Sequence, residues 1–325
     1  MKKLRWGLIG CGDIVRKRVA RAIIENQSCE LTAATRANAS LLEQFADEFH
    51  IPKRYANWRE LLTDPDIDAV YVATPVCYHA EHSIAAANAG KHVLCEKPMA
   101  MNVSECDEMN SAASANDVKL GVAYYRHFYP IVIRIKELLD SGEIGTPIVA
   151  QINAFESFDP PESHPRAWLL KKEHSGGGPM MDFGCHRLEV LVSLFGAPRT
   201  VRAISSNARF DREVEDTAAA IVEFESGMLG QVTVSHAARE PQDTLSIFGS
   251  SGSIHVPVLN ESKLIVRSEA VERKESHPPD KNLHRPLVDD FVESVLRNRE
   301  PKVDGMVGRT VAIMQDQIAE NSPDL

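Results

Sequence analysis

The 325-residue sequence predicts an α/β protein in two parts: a doubly wound parallel sheet, then an α+β domain built on a large, mostly antiparallel open sheet. Three observations predict it. Apolar strand segments alternate with amphipathic helical ones through roughly the first 120 residues, at the spacing of βαβ units. Gly10 and Gly12 fall between the first strand and the first helix. From Val201 to Val266, short alternating segments separated by turn residues read as antiparallel strands. The expected domains are residues 1–122 and 123–325.

In chain order, strands are expected at Arg5–Ile9, Glu30–Thr35, Ala69–Ala73, His92–Cys95 and Lys119–Ala123. Helical patterns separate them near Ile14–Glu25, Ala39–Phe49, His79–Ala89 and Ser104–Ala115. Gly90 stands where a helix C-terminus wants glycine. Asn57 starts a short helix through Leu62, and Asp64-Pro65-Asp66 ends it by turn chemistry. Beyond residue 125 a helix near Pro130–Leu139 leads to a long strand ending about Phe155. A proline-rich loop and Gly176-Gly177-Gly178 precede an apolar helix from Met180 to about Phe195. Strands follow at Ala218–Phe224, Leu229–Ser235, Thr244–Phe248 and Ser253–Val256, and helices near Leu287–Arg297 and Val307–Ala319 close the chain.

Composition sets the class. With 43% apolar residues, 25% charged residues and a net charge of −10, the chain has the proportions of a soluble globular protein. No apolar run approaches the ~20 residues that cross a bilayer. The acidic total disfavours nucleic acid and anionic membrane as partners. Met1-Lys2-Lys3-Leu4-Arg5-Trp6 and the short apolar stretch after it read as a first strand, not a secretory signal. Six scattered cysteines without a Cys-x-x-Cys pair point to reduced thiols and a cytoplasmic protein. The acid is unevenly spread. Residues 1–122 carry 14 Lys and Arg against 16 Asp and Glu, so most of the surplus lies beyond them.

Gly10-Cys11-Gly12-Asp13-Ile14-Val15 has the form of a dinucleotide-binding turn. The first glycine makes the tight turn, the second lets the backbone approach a pyrophosphate, and the helix N-terminus offers its free N–H groups. Val15 stands where the pattern has a small third residue. The second strand ends Ala33-Ala34-Thr35-Arg36 instead of in a carboxylate. Arg36 cannot accept hydrogen bonds from ribose hydroxyls, but its guanidinium suits the 2′-phosphate of NADP, and Thr35 adds a hydroxyl. NADP is therefore expected ahead of NAD. The other reading of Arg36 is a solvated surface arginine.

Cys95-Glu96-Lys97-Pro98 follows another strand at the carboxyl edge of the sheet, where such folds bind ligands. Together with Tyr55-Ala56-Asn57-Trp58-Arg59-Glu60-Leu61-Leu62, the stretch Asp64 to Pro75, and Ala89-Gly90-Lys91-His92-Val93-Leu94, it strongly resembles one family. This is the glucose–fructose oxidoreductase, inositol dehydrogenase and MocA (Gfo/Idh/MocA) family. Gly176-Gly177-Gly178-Pro179-Met180-Met181-Asp182-Phe183-Gly184-Cys185-His186 resembles its second signature.

The resemblance implies a Rossmann domain, a C-terminal domain whose open sheet joins a homodimer or homotetramer, and hydride transfer between NAD(P) and a sugar, polyol or keto-sugar carbon. It implies a cis peptide before Pro98. By the same resemblance Lys97 is the substrate-oriented lysine, Glu96 a cofactor-side carboxylate, and Asp182 and His186 the substrate-binding and acid/base pair. His79, in Thr74-Pro75-Val76-Cys77-Tyr78-His79, matches the loop histidine near the cofactor. The expected cofactor contacts are thus Gly10, Gly12, Asp13, Ile14, Thr35, Arg36, Thr74, Pro75, His79, Glu96 and Lys97. Val76 departs from the asparagine that many members carry.

Read from the residues, Asp182 and His186 are four apart, which on a helix puts both on one face. A carboxylate there can orient an imidazole. The triple glycine would let backbone come close to a bulky ligand. In the mechanism this suggests, His186 takes a hydroxyl proton while Lys97 stabilises the developing alkoxide and Asp182 orients the pair. Tyr124, Tyr125, Arg126 and His127 follow the fifth strand; Tyr124 and Arg126 there are candidates to hold substrate hydroxyls, and the other reading is a structural junction. Trp168, with Lys171, Lys172 and His174, lies on a loop read either as a cover over substrate or as a charged solvated loop. His164, His174, His277 and His284 show no metal-ligand spacing with carboxylates or Cys, and no catalytic metal is expected. Two other functions fit the pattern. One is glycoside cleavage through transient oxidation by a tightly held NAD; the other is a non-catalytic NADP-binding regulator.

Overall fold

The computed structural model describes residues 3–268 and 272–321, so Met1 and Lys2 of the N-terminal reading lie outside it. The chain divides into two compact units. One runs to Tyr125 and takes in Asp280–Arg309; the other holds Arg126–Pro279 and the chain from Thr310 onward. A later segment, Asp280–Arg309, thus returns to the first unit.

The first unit begins β1 (Leu4–Ile9), a helical run ending in α1 (Ala20–Glu25), β2 (Cys29–Thr35), α2 (Ala39–Glu48), β3 (Lys53–Tyr55) and α3 (Trp58–Thr63). It continues with β4 (Ala69–Val72), α4 (His79–Asn88), β5 (His92–Cys95), α5 (Val103–Ala115) and β6 (Leu120–Val122). All pairings in its sheet are parallel, in the order β3-β2-β1-β4-β5-β6. This is the doubly wound order with its switch between β1 and β4. Ala69, Val70, Tyr71 and Val72 are all buried, as a strand covered on both faces requires. The Asn38, Asn57 and Asn102 side chains each accept a backbone N–H at the start of α2, α3 and α5, which fixes where those helices begin. Gly90 adopts φ +71 just past α4. The edge strand β3 was not expected, because Lys53-Arg54-Tyr55 carries no apolar alternation.

The second unit contains α6 (Pro130–Asp140), β7 (Pro147–Phe155), α7 (Lys172–Ser175), α8 (Cys185–Phe195), β8 (Pro198–Ser206), β9 (Thr217–Phe224) and β10 (Leu229–Ser235). Its sheet is completed by β11 (Gln242–Gly249), β12 (Gly252–Val256), β13 (Lys263–Ser268) and β14 (Glu272–Ser276). The order is β14-β13-β12-β11-β7-β10-β9-β8. Neighbours pair antiparallel except β7 and β10, which run parallel in register Phe155 to Ser235. Leu188, Val190 and Leu191 of α8 are fully buried beneath the sheet, which itself buries Val232 and Val234 on alternate positions.

Two helices close the described chain: α9 (Arg285–Leu296) and α10 (Gly305–Glu320). The first of these belongs to the first unit for a packing reason. Phe291 of α9 lies 5.5 Å, centroid to centroid, from the fully buried Trp6 of β1. Gly121 of β6 makes room for it, since a Cβ there would stand 2.9 Å from the Phe291 ring. Asn26 donates to Asp289 at 2.7 Å and Asn282 to the Arg18 carbonyl at 2.8 Å, pinning both ends of the contact. Among the described residues no helix is long and apolar enough to cross a membrane.

Phe291→Ala should therefore destabilise the first unit by about 3–5 kcal/mol, the usual cost of deleting a buried aromatic ring. Urea unfolding followed by tryptophan fluorescence measures it, and a loss below about 1 kcal/mol would show that α9 is not part of that core.

Candidate active site

In the first unit the carboxyl ends of β1, β2 and β4 meet at one glycine. Gly10 has φ +92, and a Cβ there would stand 2.6 Å from the Ala73 carbonyl oxygen. Its N–H donates to the Thr35 carbonyl at 3.0 Å, while Ala73 N–H donates to the Ile9 carbonyl at 2.8 Å. Only glycine satisfies both the positive φ and the close approach. A Cβ on Gly12 would meet nothing within 4 Å, so that side of the turn is open. The helix starts directly beyond, with Arg16 N–H on the Gly12 carbonyl at 3.1 Å, and its first-turn N–H groups have no intrahelical acceptor. Val15 is fully buried and opens a π turn, Val15–Val19, so the helix is locally wider where the third small residue is missing.

This turn fits the pyrophosphate of NAD(P). Gly10, Gly12 and the N–H groups from Asp13 and Ile14 would hold it, and Arg36 would stand beside the adenosine ribose. Arg36 is half-buried, and its Nη1 donates to the Cys11 carbonyl at 2.7 Å, so it is fixed at the turn rather than loose on the surface. Thr35 is buried and gives its carbonyl to the turn. Asp13 is exposed and pairs with Lys17 at 2.7 Å.

Across the switch point, the β4 and β5 loops are clamped by His79. This ring is 1% exposed, with Nε2 2.9 Å from the Thr74 carbonyl and Nδ1 2.9 Å from the Pro98 carbonyl. Burial lowers its pKa against the two carbonyls, which raise it. His79 thus positions Thr74-Pro75 and the Glu96-Lys97-Pro98 turn. The Lys97–Pro98 peptide is cis, as the resemblance implied.

Glu96 is buried at the end of β5. Its Oε1 accepts from the Tyr71 hydroxyl at 2.7 Å, its Oε2 from the Lys97 N–H at 3.2 Å, and His284 Nε2 lies 3.7 Å away. Burial pushes the carboxyl up, but His284 and Tyr71 outweigh it and hold it low, at about 2. Glu96 therefore anchors the turn that presents the half-buried Lys97. Tyr71 and His284 escaped the sequence reading: one lies mid-strand and the other nearly two hundred residues downstream. Tyr124 is fully buried in this unit, and Tyr125 stacks on His284 at 4.7 Å.

In the second unit, Asp182 lies in a π turn, Met180–Gly184, that leads into α8, and His186 is 2% exposed in the first turn of α8. Asp182 Oδ2 accepts from Arg166 Nη2 at 3.1 Å and faces His236 Nε2 at 3.7 Å. Glu156 Oε1 lies 3.9 Å from both Arg166 Nη2 and His236 Nε2. Arg166, Glu156 and His236 carry no local motif. Trp168 is half-buried in the turn Ala167–Leu170 just after Arg166, while Lys171 pairs with Glu213 at 2.8 Å.

Two of the three glycines are required by the chain itself. A Cβ on Gly178 would fall 1.9 Å from the Glu215 carbonyl oxygen, and one on Gly177 would fall 2.9 Å from Met181 Cγ. Gly178 N–H also donates to Glu215 Oε2 at 2.8 Å. Nearby a cleft of about 540 Å³ is lined by Glu156, Phe183, Arg126, Arg187, Asp243 and Asn260 among others. Arg126 is 4% exposed there and donates to Asn260 Oδ1 at 3.1 Å.

The carboxyl of Glu96 gives a pH prediction. Its folded pKa is depressed, so its contribution is fully present above the ordinary carboxylate value of 4.5 and is lost as pH falls toward about 2. Glu96→Gln should lower stability at pH 7 by about 2 kcal/mol and flatten the acid limb of the stability profile between those values. Urea midpoints measured from pH 7 to pH 2.5 test this, and parallel profiles for the two proteins would refute it.

Comparison with known proteins agrees with this geometry. A family profile for an oxidoreductase family with an NAD-binding Rossmann fold matches residues 4–124, and the Gfo/Idh/MocA C-terminal domain profile matches residues 132–255. The chain is 34% identical to a 1,5-anhydro-D-fructose reductase of Ensifer adhaerens, over 77% of this chain and 74% of that one. It is 26% identical to a myo-inositol 2-dehydrogenase of Thermotoga maritima, over 96% and 94% of the two chains. Among solved structures, aldose-aldose oxidoreductase from Caulobacter crescentus complexed with glycerol superposes with a TM-score of 0.90 at 26% identity, covering 98% of this chain and 97% of that one. The chain belongs to the Gfo/Idh/MocA family of NAD(P)-binding oxidoreductases.

Proposed function

We propose that this oxidoreductase moves hydride between NADP and a carbon of a sugar, polyol or keto-sugar, with Lys97 and His186 as its acid/base groups. The observation that carries this reading is the anchored Glu96-Lys97-Pro98 turn. It is held by Tyr71, His284 and His79 at the carboxyl edge of the sheet that bears the glycine turn. Structure is invested there in presenting one lysine. The relatives that act on anhydrofructose and myo-inositol indicate the substrate class.

Bound NADP supplies a hydride acceptor at C4 of its nicotinamide. The protein's part is proton and charge control. His186 takes the proton of the substrate hydroxyl, and the Lys97 ammonium stabilises the alkoxide that develops on the oxygen. Asp182, held by Arg166, binds the substrate. In the reducing direction the same groups return the proton to a ketone. Arg36, fixed at the turn by the Cys11 carbonyl, favours the 2′-phosphate of NADP over a bare ribose.

We also propose a cytoplasmic homodimer or homotetramer formed through the open face of the second sheet. Ile204, Ile221 and Phe248 are exposed there, with Ile204 72% accessible. Such a concentration of exposed apolar side chains on one sheet marks an interaction surface.

Three measurements test these statements. Lys97→Met should reduce kcat by a factor of about 10²–10⁴ while leaving NADPH affinity unchanged, read by stopped-flow absorbance and fluorescence titration. Near-normal turnover would sink the assignment. With NAD⁺ and NADP⁺ compared side by side over pyranoses, inositols and keto-sugars, NADP⁺ should give the higher kcat/KM, and Arg36→Asp should lower it about tenfold or more. A tenfold advantage for NAD⁺ in the unaltered protein would refute the reading of Arg36. Light scattering should show the Ile204→Glu, Ile221→Glu double variant smaller than the parent; equal masses would place the interface elsewhere.

A further inference from the structure

Taking a proton from substrate leaves the enzyme with a proton to dispose of. His186, the ring assigned that task, is 2% exposed in the first turn of α8, so bulk water does not reach it directly. One turn further along the same helix stands Glu189, which is 0% exposed. An ionisable group in so dry a place is costly and has to be matched by its neighbours.

Glu189 faces in two directions. Its Oε1 lies 2.8 Å from Nδ1 of His127, in the short turn before α6. Its Oε2 is buried and has no hydrogen-bond partner among the described residues. The His127 side chain is 22% exposed, and its ring meets the Phe128 ring edge-on at 5.2 Å between centroids. Helical side chains lean toward the start of their helix, over the residues three and four before them. For Glu189 those residues are His186 and Cys185. His186 and Glu189 are thus neighbours on one face, with Cβ atoms about 5–6 Å apart by helix geometry. Three titratable groups run inward from a half-exposed ring to the buried base.

The electrostatics favour a group that carries a proton over a fixed ion pair. Burial pushes the Glu189 carboxyl up, against His127 and Arg126, which pull it down, and the outcome is a raised pKa. A static ion pair would satisfy His127 but leave Oε2 as a buried, unbonded charge, a cost that the pair does not recover. With the carboxyl protonated, Oε1–H donates to a bare Nδ1. The neutral His127 ring then carries its hydrogen on Nε2, the nitrogen away from Glu189. Donor meets acceptor at that link, and Oε2 is left as the acceptor nearest His186.

We propose that Glu189 and His127 form a proton exit from His186. The exit rests on the reading of His186 as the base that takes the hydroxyl proton. In oxidation the substrate C–H bond breaks and its electron pair leaves with the hydride to NADP⁺, while the O–H proton passes to His186 and the carbonyl forms. His186 then gives a proton to Glu189 Oε2 as Oε1 gives its own to His127 Nδ1, and Nε2 of that ring gives one to water. One proton enters the chain for each that leaves, and no electrons move along it. A half-turn of the carboxyl and exchange of the ring hydrogen with water restore the starting bonds. Run backwards, the same chain delivers the proton that a ketone needs on reduction. Glu189 and His127 act through His186, not on the substrate.

The test separates the two products of oxidation in time. Single turnovers of the NADP⁺-loaded enzyme, with whichever pyranose or inositol it oxidises fastest, are followed by stopped flow in weak buffer. NADPH is read by its absorbance and the released proton by phenol red. In the unaltered protein the two signals should rise together. Glu189→Gln keeps the shape of the side chain and His127→Phe keeps the ring, but neither passes the proton on. In each, NADPH should form within about threefold of the parent rate while the proton appears about tenfold or more later, and kcat should fall to the slower rate. Added imidazole, a diffusible base, should shorten the delay in His127→Phe. Simultaneous signals in both variants overturn the exit and leave hydride transfer standing. Equal slowing of both signals also overturns it, since that is the mark of a structural pair. Either variant suffices, so a Glu189→Gln protein that fails to fold leaves His127→Phe to decide. An unaltered protein that reduces NADP⁺ with no pyranose or inositol overturns the hydride-transfer reading, and the exit with it.

Discussion

When two strands run parallel their carboxyl ends finish at the same edge, and whatever follows them is brought together regardless of its distance along the chain. Both candidate sites depend on this constraint. In the first sheet it gathers Gly10 after β1, Arg36 after β2, Thr74 after β4 and Glu96-Lys97 after β5 along one edge. In the second sheet, where neighbours otherwise pair antiparallel, the pairing of β7 with β10 sets Glu156 against His236. An antiparallel neighbour would have put a strand start beside Glu156 instead.

The edge is then stiffened by groups that hold its turns in place. The first glycine turn is locked by backbone bonds to two other strands. The Glu96 turn is held from three sides, by a strand tyrosine, a downstream histidine and the His79 clamp. The carboxylate of Glu96 is bonded and low in pKa, which keeps it charged and tied to its turn. A lysine presented on such a base has little orientational freedom left to lose, which is the contribution a fold can make to a positioned group. The return of α9 serves the same end, since His284 comes from the segment just before it.

How far the sequence revealed this depends on how local each feature is. Gly10, the cap residue Asn57 and the Lys97-Pro98 turn act within a few residues of themselves, so pattern and motif were enough to find them. Gly176-Gly177-Gly178 was found, but the neighbour that requires glycine there was not. The pattern shows that a side chain is forbidden, not what forbids it, and here Glu215 does so from nearly forty residues away. The strand β14, Glu-Arg-Lys-Glu-Ser, carries no apolar period because its side chains form a surface ladder with Arg134 and Glu143. Glu156 and His236 stand eighty residues apart, and only strand order joins them.

Two buried histidines show why that long-range context decides chemistry. His79 faces carbonyl oxygens at both nitrogens, and a carbonyl only accepts. The neutral ring can satisfy one of them and the charged ring both, so its bonding and its burial pull its protonation in opposite directions. His236 faces a guanidinium at one nitrogen and carboxylates at the other. There the hydrogen has one place to be, on Nε2, aimed at the acids. The same side chain, equally buried, is a clamp in one unit and a directed donor in the other. The difference lies in which backbone ends and which arginine the strand order brings to it.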